Sequence, residues 1–253
     1  MLIDLLVPPG LDATITLVLV LTSLLASFIT IAFGIGGGVL LLAVMASLVP
    51  PAALIPVHGM VQVGSNFGRV IFMFRYIVWT HTLIFTIGSL LGVLLGGMIA
   101  FNLPPAIVQI GVGAFVIWSI FLTPPRWLSQ IPIVTGMLSS FLTMFFGATG
   151  PFVATFTKSL KLDRHRHVAT HGHLMTIQHL LKTVMFGFLG FAFAPWLGFI
   201  VAMIVAGAIG TLLGRLVLDR LSDTRFRFAL DAILFLLSVR LIWAGMGQLG
   251  WLG

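Results

Sequence analysis

Apolar runs follow one another along almost the whole chain, separated only by short breaks that contain proline, glycine or charged residues. Only 8% of the residues are charged, whereas an ordinary globular domain has about 25%. The chain is therefore predicted to be an all-α integral membrane protein with about eight to ten membrane segments and no sizeable extramembrane domain. The predicted segments are 12–33, 38–49, 52–74, 79–101, 105–122, 131–147, 151–160, 167–190, 196–218 and 226–247.

The charge of the chain is strongly basic, with 13 Lys and Arg against 6 acidic residues. Most of the bases lie in short loops between apolar runs, where such residues orient helices in the membrane and contact anionic lipid head groups. We therefore predict lipid, and not nucleic acid, as the partner of these charges. The chain has no cysteine, which excludes disulfides, thiolate metal sites and thiol catalysis.

Two predicted segments, 38–49 and 151–160, are too short to cross a membrane, and each follows a glycine-rich break. The breaks read FGIGGG at 33–38 and FGATGP at 146–151. A helix that starts inside the membrane presents unsatisfied amide groups and the positive end of its dipole, which suits an anion. The alternative is that the glycines only permit close helix packing. The candidate anion-binding residues at the breaks are Gly36, Gly37, Gly38, Thr149 and Gly150.

The two breaks belong to an internal repeat. One offset of 113 residues relates several landmarks, and a later match at 221 has an offset of 118. The chain is therefore predicted to consist of two pseudo-symmetric repeats, 1–125 and 126–253. The pairs with the first offset are Phe33-Gly34 with Phe146-Gly147, His58-Gly59 with His171-Gly172, and Arg69 with Lys182.

Charge predicts that the repeats are inverted. Arg69 and Arg75 lie at the end of segment 52–74, whereas Lys158, Lys161, Arg164 and Arg166 precede the equivalent segment 167–190. Placing these bases in the cytoplasm makes the two segments run in opposite directions. Each repeat is then a hairpin, 12–49 or 131–160, followed by three crossings, with Gly-broken helices and both termini outside. Such repeats commonly form secondary transporters. The alternative, in which segment 12–33 crosses fully with only a kink, gives parallel halves.

Polar side chains form one stripe on each of the two equivalent segments, 52–74 and 167–190. Antiparallel pairing of these helices would give a polar path through the membrane, with its cations towards opposite ends. Neither stripe contains an acid, so an anionic substrate is the predicted counter-ion. Lys182 lies deeper and is the preferred candidate, whereas Arg69 is close enough to a helix end to reach the head groups. The candidate substrate-binding residues are His58, Gln62, Ser65, Asn66 and Arg69, and His171, Gln178, His179 and Lys182.

Three groups are candidates for proton coupling: His171, His179 and Asp231. Histidine titrates near neutral pH, and Asp231 is the acid deepest within an apolar segment. Pairing of Asp231 with Arg227 or another base is the alternative. The histidine cluster also raises the alternative of a metal site, but neither carboxylate nor thiolate accompanies it, so no metal or other cofactor is predicted.

Several short motifs are distributed along nearly the whole chain. They are FGIGGG followed by VLLL, Pro50-Pro51-Ala52-Ala53, Tyr76-Ile77-Val78-Trp79, GSLLGVLLGG at 88–97, and FGATGP. Together they resemble the sulfite exporter TauE/SafE family of membrane transporters, and the resemblance implies transport of sulfite or organic sulfur anions across a bacterial inner membrane. The chain departs from the usual family pattern at His58-Gly59 and His171-Gly172.

The residues and the resemblance therefore predict a secondary anion transporter that works by alternating access at the interface of the repeats, and not an enzyme. Neither a Ser/His pair nor an HExxH motif indicates enzyme chemistry. A passive anion channel and a histidine-based metal-ion transporter are the alternatives.

Overall fold

The structure is a computed structural model that describes residues 6–33, 36–100, 103–125, 127–217 and 224–251. Ten α-helices occur in this part of the chain, and their ends lie within three residues of the ten predicted segments. Helices α1 to α5 belong to the first half and α6 to α10 to the second. They are α1 (Ala13–Phe33), α2 (Gly37–Leu48), α3 (Pro51–Phe72), α4 (Thr82–Ala100), α5 (Pro105–Phe121), α6 (Pro132–Phe146), α7 (Gly150–Ser159), α8 (Arg164–Phe188), α9 (Leu197–Val217) and α10 (Thr224–Gln248).

Local chemistry explains where several helices begin and end. Pro105 occupies the first turn of α5, where its missing N–H costs nothing. Asp163 caps α8, because its carboxylate accepts a hydrogen bond of 3.0 Å from the backbone N–H of Arg166. This bond lowers the pKa of Asp163. At the breaks, Gly36 has a φ of 111° and Gly147 a φ of 77°, which L side chains rarely adopt.

Glycine residues on α4 and α9 allow the helices of one half to pack closely against those of the other half. A Cβ at Gly92 of α4 would overlap the carbonyl oxygen of Met137 of α6, and a Cβ at Gly210 of α9 would overlap that of Leu24 of α1. Gly88 meets Ile133 one turn earlier, so α4 and α6 run parallel. The glycines are 118 residues apart and the carbonyls 113, so the two packing contacts are equivalent. The halves therefore interlock.

The two breaks turn the chain back on itself. A Cβ at Gly10 would lie 3.2 Å from Cγ of Pro50, so the start of α1 and the end of α2 share one end of the bundle. The start of α2 packs on the backbone of Ala26 in α1. In the second half, Thr149 donates a hydrogen bond of 2.9 Å to the carbonyl of Ser139, which is 113 residues from Ala26. Both short helices thus start alongside the middle of the preceding helix.

One end of the bundle is basic. There the rings of Tyr76 and His165 are 5.1 Å apart, and Nη2 of Arg164 donates a hydrogen bond of 2.6 Å to the carbonyl of Ala32 at the end of α1. We call this the basic end, and it carries Arg75, Lys158, Lys161, Arg164 and Arg166.

The outer surface of the bundle is apolar. Within the described residues, four helical stretches are long and apolar enough to cross a membrane: Ala13–Phe33, Thr82–Ile99, Ala194–Leu216 and Phe228–Gln248. They carry large exposed apolar side chains such as Met98, 78% exposed, and Leu216, 74% exposed. Surfaces of this kind require lipid, and the chain is accordingly a helical membrane protein.

Candidate functional site

The two polar stripes lie at the centre of the bundle, on helices α3 and α8. Every candidate residue on them is buried, with 0 to 8% of its surface exposed. These residues are His58, Gln62, Ser65, Asn66 and Arg69 on α3, and His171, Gln178, His179 and Lys182 on α8.

Helices α3 and α8 pack antiparallel, as predicted, and each uses a glycine to accommodate the cation of the other. A Cβ at Gly59 would lie 2.7 Å from Cε of Lys182, and a Cβ at Gly172 would lie 2.9 Å from Cδ of Arg69. The glycines are 113 residues apart, and so are the cations. The crossing is therefore reciprocal, and it places the two cations at opposite ends of the helix pair.

A histidine from each of these helices holds the start of one short helix. Nε2 of His58 lies 3.1 Å from the carbonyl oxygen of Gly38, and Nε2 of His171 lies 3.4 Å from that of Gly150. Because a carbonyl only accepts hydrogen bonds, each imidazole donates through Nε2. The histidines thereby fix where α2 and α7 begin.

A small cavity of about 30 Å³, lined mostly by buried residues, lies where the two short helices meet α3 and α8, and we call it the closed cavity. Gly36 and Gly38 border it from the first break and Gly150 from the second. It has room for about two water molecules. The polar side chains that complete its wall are Thr30, Gln62, Asn66, Arg69 and His171.

Arg69 is the cation of this cavity. Its side chain is 2% exposed, and Nε and Nη1 have no hydrogen-bond partner among the described residues. No acid among the described residues borders the cavity. The expectation that Arg69 reaches the lipid head groups is wrong, because Gly172 leaves space for its stem to lie against α8.

Lys182, in contrast to Arg69, is held by hydrogen-bond acceptors within the protein. It is fully buried and does not border the cavity. Its Nζ donates a hydrogen bond of 3.1 Å to the carbonyl of Gly147 and lies 3.5 Å from Oγ1 of Thr143. These oxygens end α6, where the helix dipole is negative. Lys182 was preferred from the sequence because of its depth in the membrane, but at that depth it is bound to oxygens of the protein itself. Arg69 is therefore the cation that remains available to a substrate.

The remaining stripe residues lie outside the cavity. Ser65 shares a hydrogen bond of 2.8 Å with Ser27 of α1, and Gln178 accepts one of 3.0 Å from Ser139 of α6. His179 packs edge-on against His58, with 6.0 Å between ring centres, and neither of its ring nitrogens has a hydrogen-bond partner within the described ranges. These residues pack behind those that line the cavity and connect α3 and α8 to their neighbours.

A larger cavity of about 310 Å³ opens at the basic end, and we call it the basic vestibule. It shares Gly36, Val39 and Pro151 with the closed cavity, so these three residues separate the two spaces. Lys158 and Asp231 also line it. Asp231 is exposed there, away from the polar stripes, and the side chain of Arg227 lies outside the described residues.

Five residues of the closed cavity were not among the candidate site residues: Thr30, Val39, Ala148, Pro151 and Met175. The repeat carried a signal for three of them, since Pro151 is equivalent to the candidate Gly38. Thr30 is equivalent to Thr143 beside Lys182, and Met175 is equivalent to Gln62. Val39 and Ala148 are apolar and left no such signal.

A comparison with family models matches the sequence of the chain to one group of membrane proteins. The model of the family described as Sulfite exporter TauE/SafE matches residues 19–241. The chain belongs to the sulfite exporter TauE/SafE family. The match confirms the resemblance and spans both breaks, both polar stripes and the cavity between them. Neither the curated proteins nor the solved structures compared with the chain gave a match.

Membership of the TauE/SafE family identifies the chain as a membrane transporter of the type that exports sulfite and related sulfur anions. The closed cavity is consistent with such a cargo, since it combines a buried cation with the starts of two helices. Among the described residues, no three His, Cys, Asp or Glu side chains are placed to hold a metal ion together.

Proposed function

We propose that the chain is a secondary transporter that carries small sulfur anions, such as sulfite or a short sulfonate, across the bacterial inner membrane. In this proposal the anion binds in the closed cavity, against Arg69. The observation that supports it most strongly is the buried guanidinium of Arg69: in the part of the chain that the structure describes, two of its nitrogens have no partner and no acid borders the cavity beside it. A buried cation of this kind is costly unless a counter-ion joins it.

The starts of α2 and α7 supply further positive potential. The first bond within α2 runs from the N–H of Leu40 to the carbonyl of Gly36 at 3.0 Å, so the N–H groups of Gly37, Gly38 and Val39 precede it. No side chain that the structure describes caps either helix. An oxyanion in the cavity would accept hydrogen bonds from these amides and from the guanidinium fork together.

Gln62 and Asn66 would orient the anion. The amide nitrogen of Gln62 packs directly on Gly38, beside the first turn of α2. Nδ2 of Asn66 donates a hydrogen bond of 2.7 Å to the carbonyl of Gln62, which fixes the Asn66 side chain against α3. The cavity is small, so an anion would displace its waters and widen it. This is expected of an occluded state, which lies between the state open to one side of the membrane and the state open to the other.

Inverted repeats would provide the two access states. Equivalent helices α3 and α8 run antiparallel, and so do α5 and α10, where Gly113 meets Ser238 and Gly245 meets Ala106. A two-fold axis in the membrane plane produces this arrangement when these helices cross the membrane. The positive-inside rule then assigns the basic end to the cytoplasm.

The basic vestibule is filled at the repeat-equivalent positions, although another cavity of about 320 Å³, lined by Pro51, Leu103 and Leu189, lies at the opposite end of the bundle. On the basic side, Thr155, Lys158, Leu230 and Leu234 line the open vestibule. Their repeat equivalents are fully buried in the main apolar core, so the corresponding space on the other side is filled. These equivalents are Leu42, Met45, Val112 and Val116.

Proton coupling would use groups next to the anion. His171 borders the closed cavity, and Asp231 lines the vestibule that leads to it. His179 lies one layer behind, against His58. A proton taken up with the anion, or exchanged for it, would give transport that depends on a pH gradient.

The test is flux of labelled sulfite in proteoliposomes, with and without a pH gradient. A carrier gives saturable flux, and unlabelled sulfite on the far side accelerates entry of the label. Flux that rises linearly with concentration and shows no such acceleration would support a channel instead. Absence of flux for sulfite and for short sulfonates would overturn the proposal.

A further inference from the structure

Lys182 is a buried cation that the proposed binding mode does not use. It is the repeat equivalent of Arg69, and its surroundings repeat those of Arg69. Its stem crosses Gly59 as the stem of Arg69 crosses Gly172. Thr143 lies beside it, equivalent to the Thr30 that borders the closed cavity with Arg69.

We propose that Lys182 is a second anion-binding cation, which holds the substrate when the transporter opens at the end opposite the basic end. This inference rests on the proposed function. In the present state Lys182 is tied to the carbonyl of Gly147, while Arg69 has unpartnered nitrogens. In the other state the two roles are exchanged, and Lys182 leaves Gly147 to contact the anion.

The repeat supports this exchange. Because the halves have similar sequences and pack through equivalent contacts, the conformation of one half is available to the other. Exchanging the two conformations releases Lys182 and closes the space around Arg69. No acid has to be displaced in this step, because the partners of Lys182 are the uncharged oxygens of Gly147 and Thr143.

The two cations differ in chemistry, which gives the inference a directional consequence. Arginine presents a planar fork that binds an oxyanion through two parallel hydrogen bonds, whereas lysine is a single point charge. The anion is therefore held more tightly at the basic end than at the opposite end. Substitution Lys182→Arg should lower the KM measured from the opposite end and leave the KM from the basic end unchanged.

The absence of cysteine makes a sided labelling experiment simple. Thr30→Cys and Thr143→Cys are matched single-cysteine reporters at equivalent positions beside the two cations. Each protein is placed in vesicles of known orientation and treated from one side with a membrane-impermeant methanethiosulfonate. Methanesulfonate, an unreactive sulfur oxyanion, is the protecting ligand.

We expect the cysteine at position 30 to react from the basic end and the cysteine at position 143 from the opposite end. Methanesulfonate at about ten times its Kd should slow each reaction about tenfold, since it occupies about nine-tenths of the sites. Protection at position 30 alone would overturn the role of Lys182 and leave the proposed function intact. Protection at neither position, together with absence of flux, would overturn both.

The sided kinetics of Lys182→Arg test the same inference without a cysteine. An unchanged KM from the opposite end, in a protein that transports normally from the basic end, would contradict a contact between Lys182 and the anion. A purely structural role of Lys182 would change the yield or stability of the protein and shift both KM values together.

Discussion

Substitution Arg69→Met should separate the stability of the protein from its affinity for the anion. Truncating one partner of a buried charge pair costs about 2–5 kcal/mol of binding free energy, and a loss of about 3 kcal/mol raises the Kd about 150-fold. The same substitution should raise the free energy of unfolding that is measured without anion. Nε and Nη1 of Arg69 have no partner among the described residues, and each unsatisfied buried group costs about 1–3 kcal/mol.

The assay is titration of the purified protein with sulfite, followed by thermal unfolding with and without the anion. Arg75→Met is the matched control, because it removes the same charge from an exposed position at the basic end. Wild-type protein and the control should be stabilised by sulfite, whereas Arg69→Met should unfold at the same or a higher temperature and gain nothing from sulfite. A variant that binds sulfite normally, or that unfolds at a lower temperature without it, would refute the reasoning.

Three further predictions concern the scaffold. Gly92→Ala should lower the unfolding temperature, because its Cβ would overlap a backbone carbonyl, whereas Gly68→Ala, which meets nothing within 4 Å, should raise stability by up to about 1 kcal/mol in a thermal scan. His171→Leu removes the donor to Gly150 and should weaken sulfite binding about fivefold by titration, whereas His171→Gln should recover most of the affinity. Because the pKa of Asp163 is lowered in the folded protein, its cap stabilises α8 above the unfolded pKa and is lost as the pH falls through the folded pKa; Asp163→Asn should lose this pH dependence of the unfolding temperature.

The helices and their pairing could be predicted because local chemistry determines them. Pro105 begins a helix and Gly147 ends one for reasons contained in the residues themselves. The antiparallel pairing of α3 and α8 followed from two stripes with one offset. The inverted topology and the division into repeats at residue 125 stay predictions, which the packing of equivalent helices supports.

The choice between the two cations could not be predicted. Arg69 and Lys182 occupy equivalent positions, and sequence depth favoured Lys182 because Arg69 is nearer to a helix end. The outcome depends on which cation finds an internal acceptor, and that requires the position of the Gly147 carbonyl after the break. The sequence also does not fix how each helix is rotated about its own axis, and this rotation determines which stripe residues face the cavity. Ser65 is in the same stripe as Arg69, yet it faces α1 and not the cavity.

The most direct test of the central claim is a crystal structure of the protein soaked with selenite, a heavier analogue of sulfite whose anomalous scattering locates the anion. We predict one strong anomalous peak in the closed cavity, within hydrogen-bond distance of the Arg69 guanidinium and the first N–H groups of α2. A peak only in the basic vestibule beside Lys158, or none in the closed cavity under conditions that saturate transport, would contradict the account.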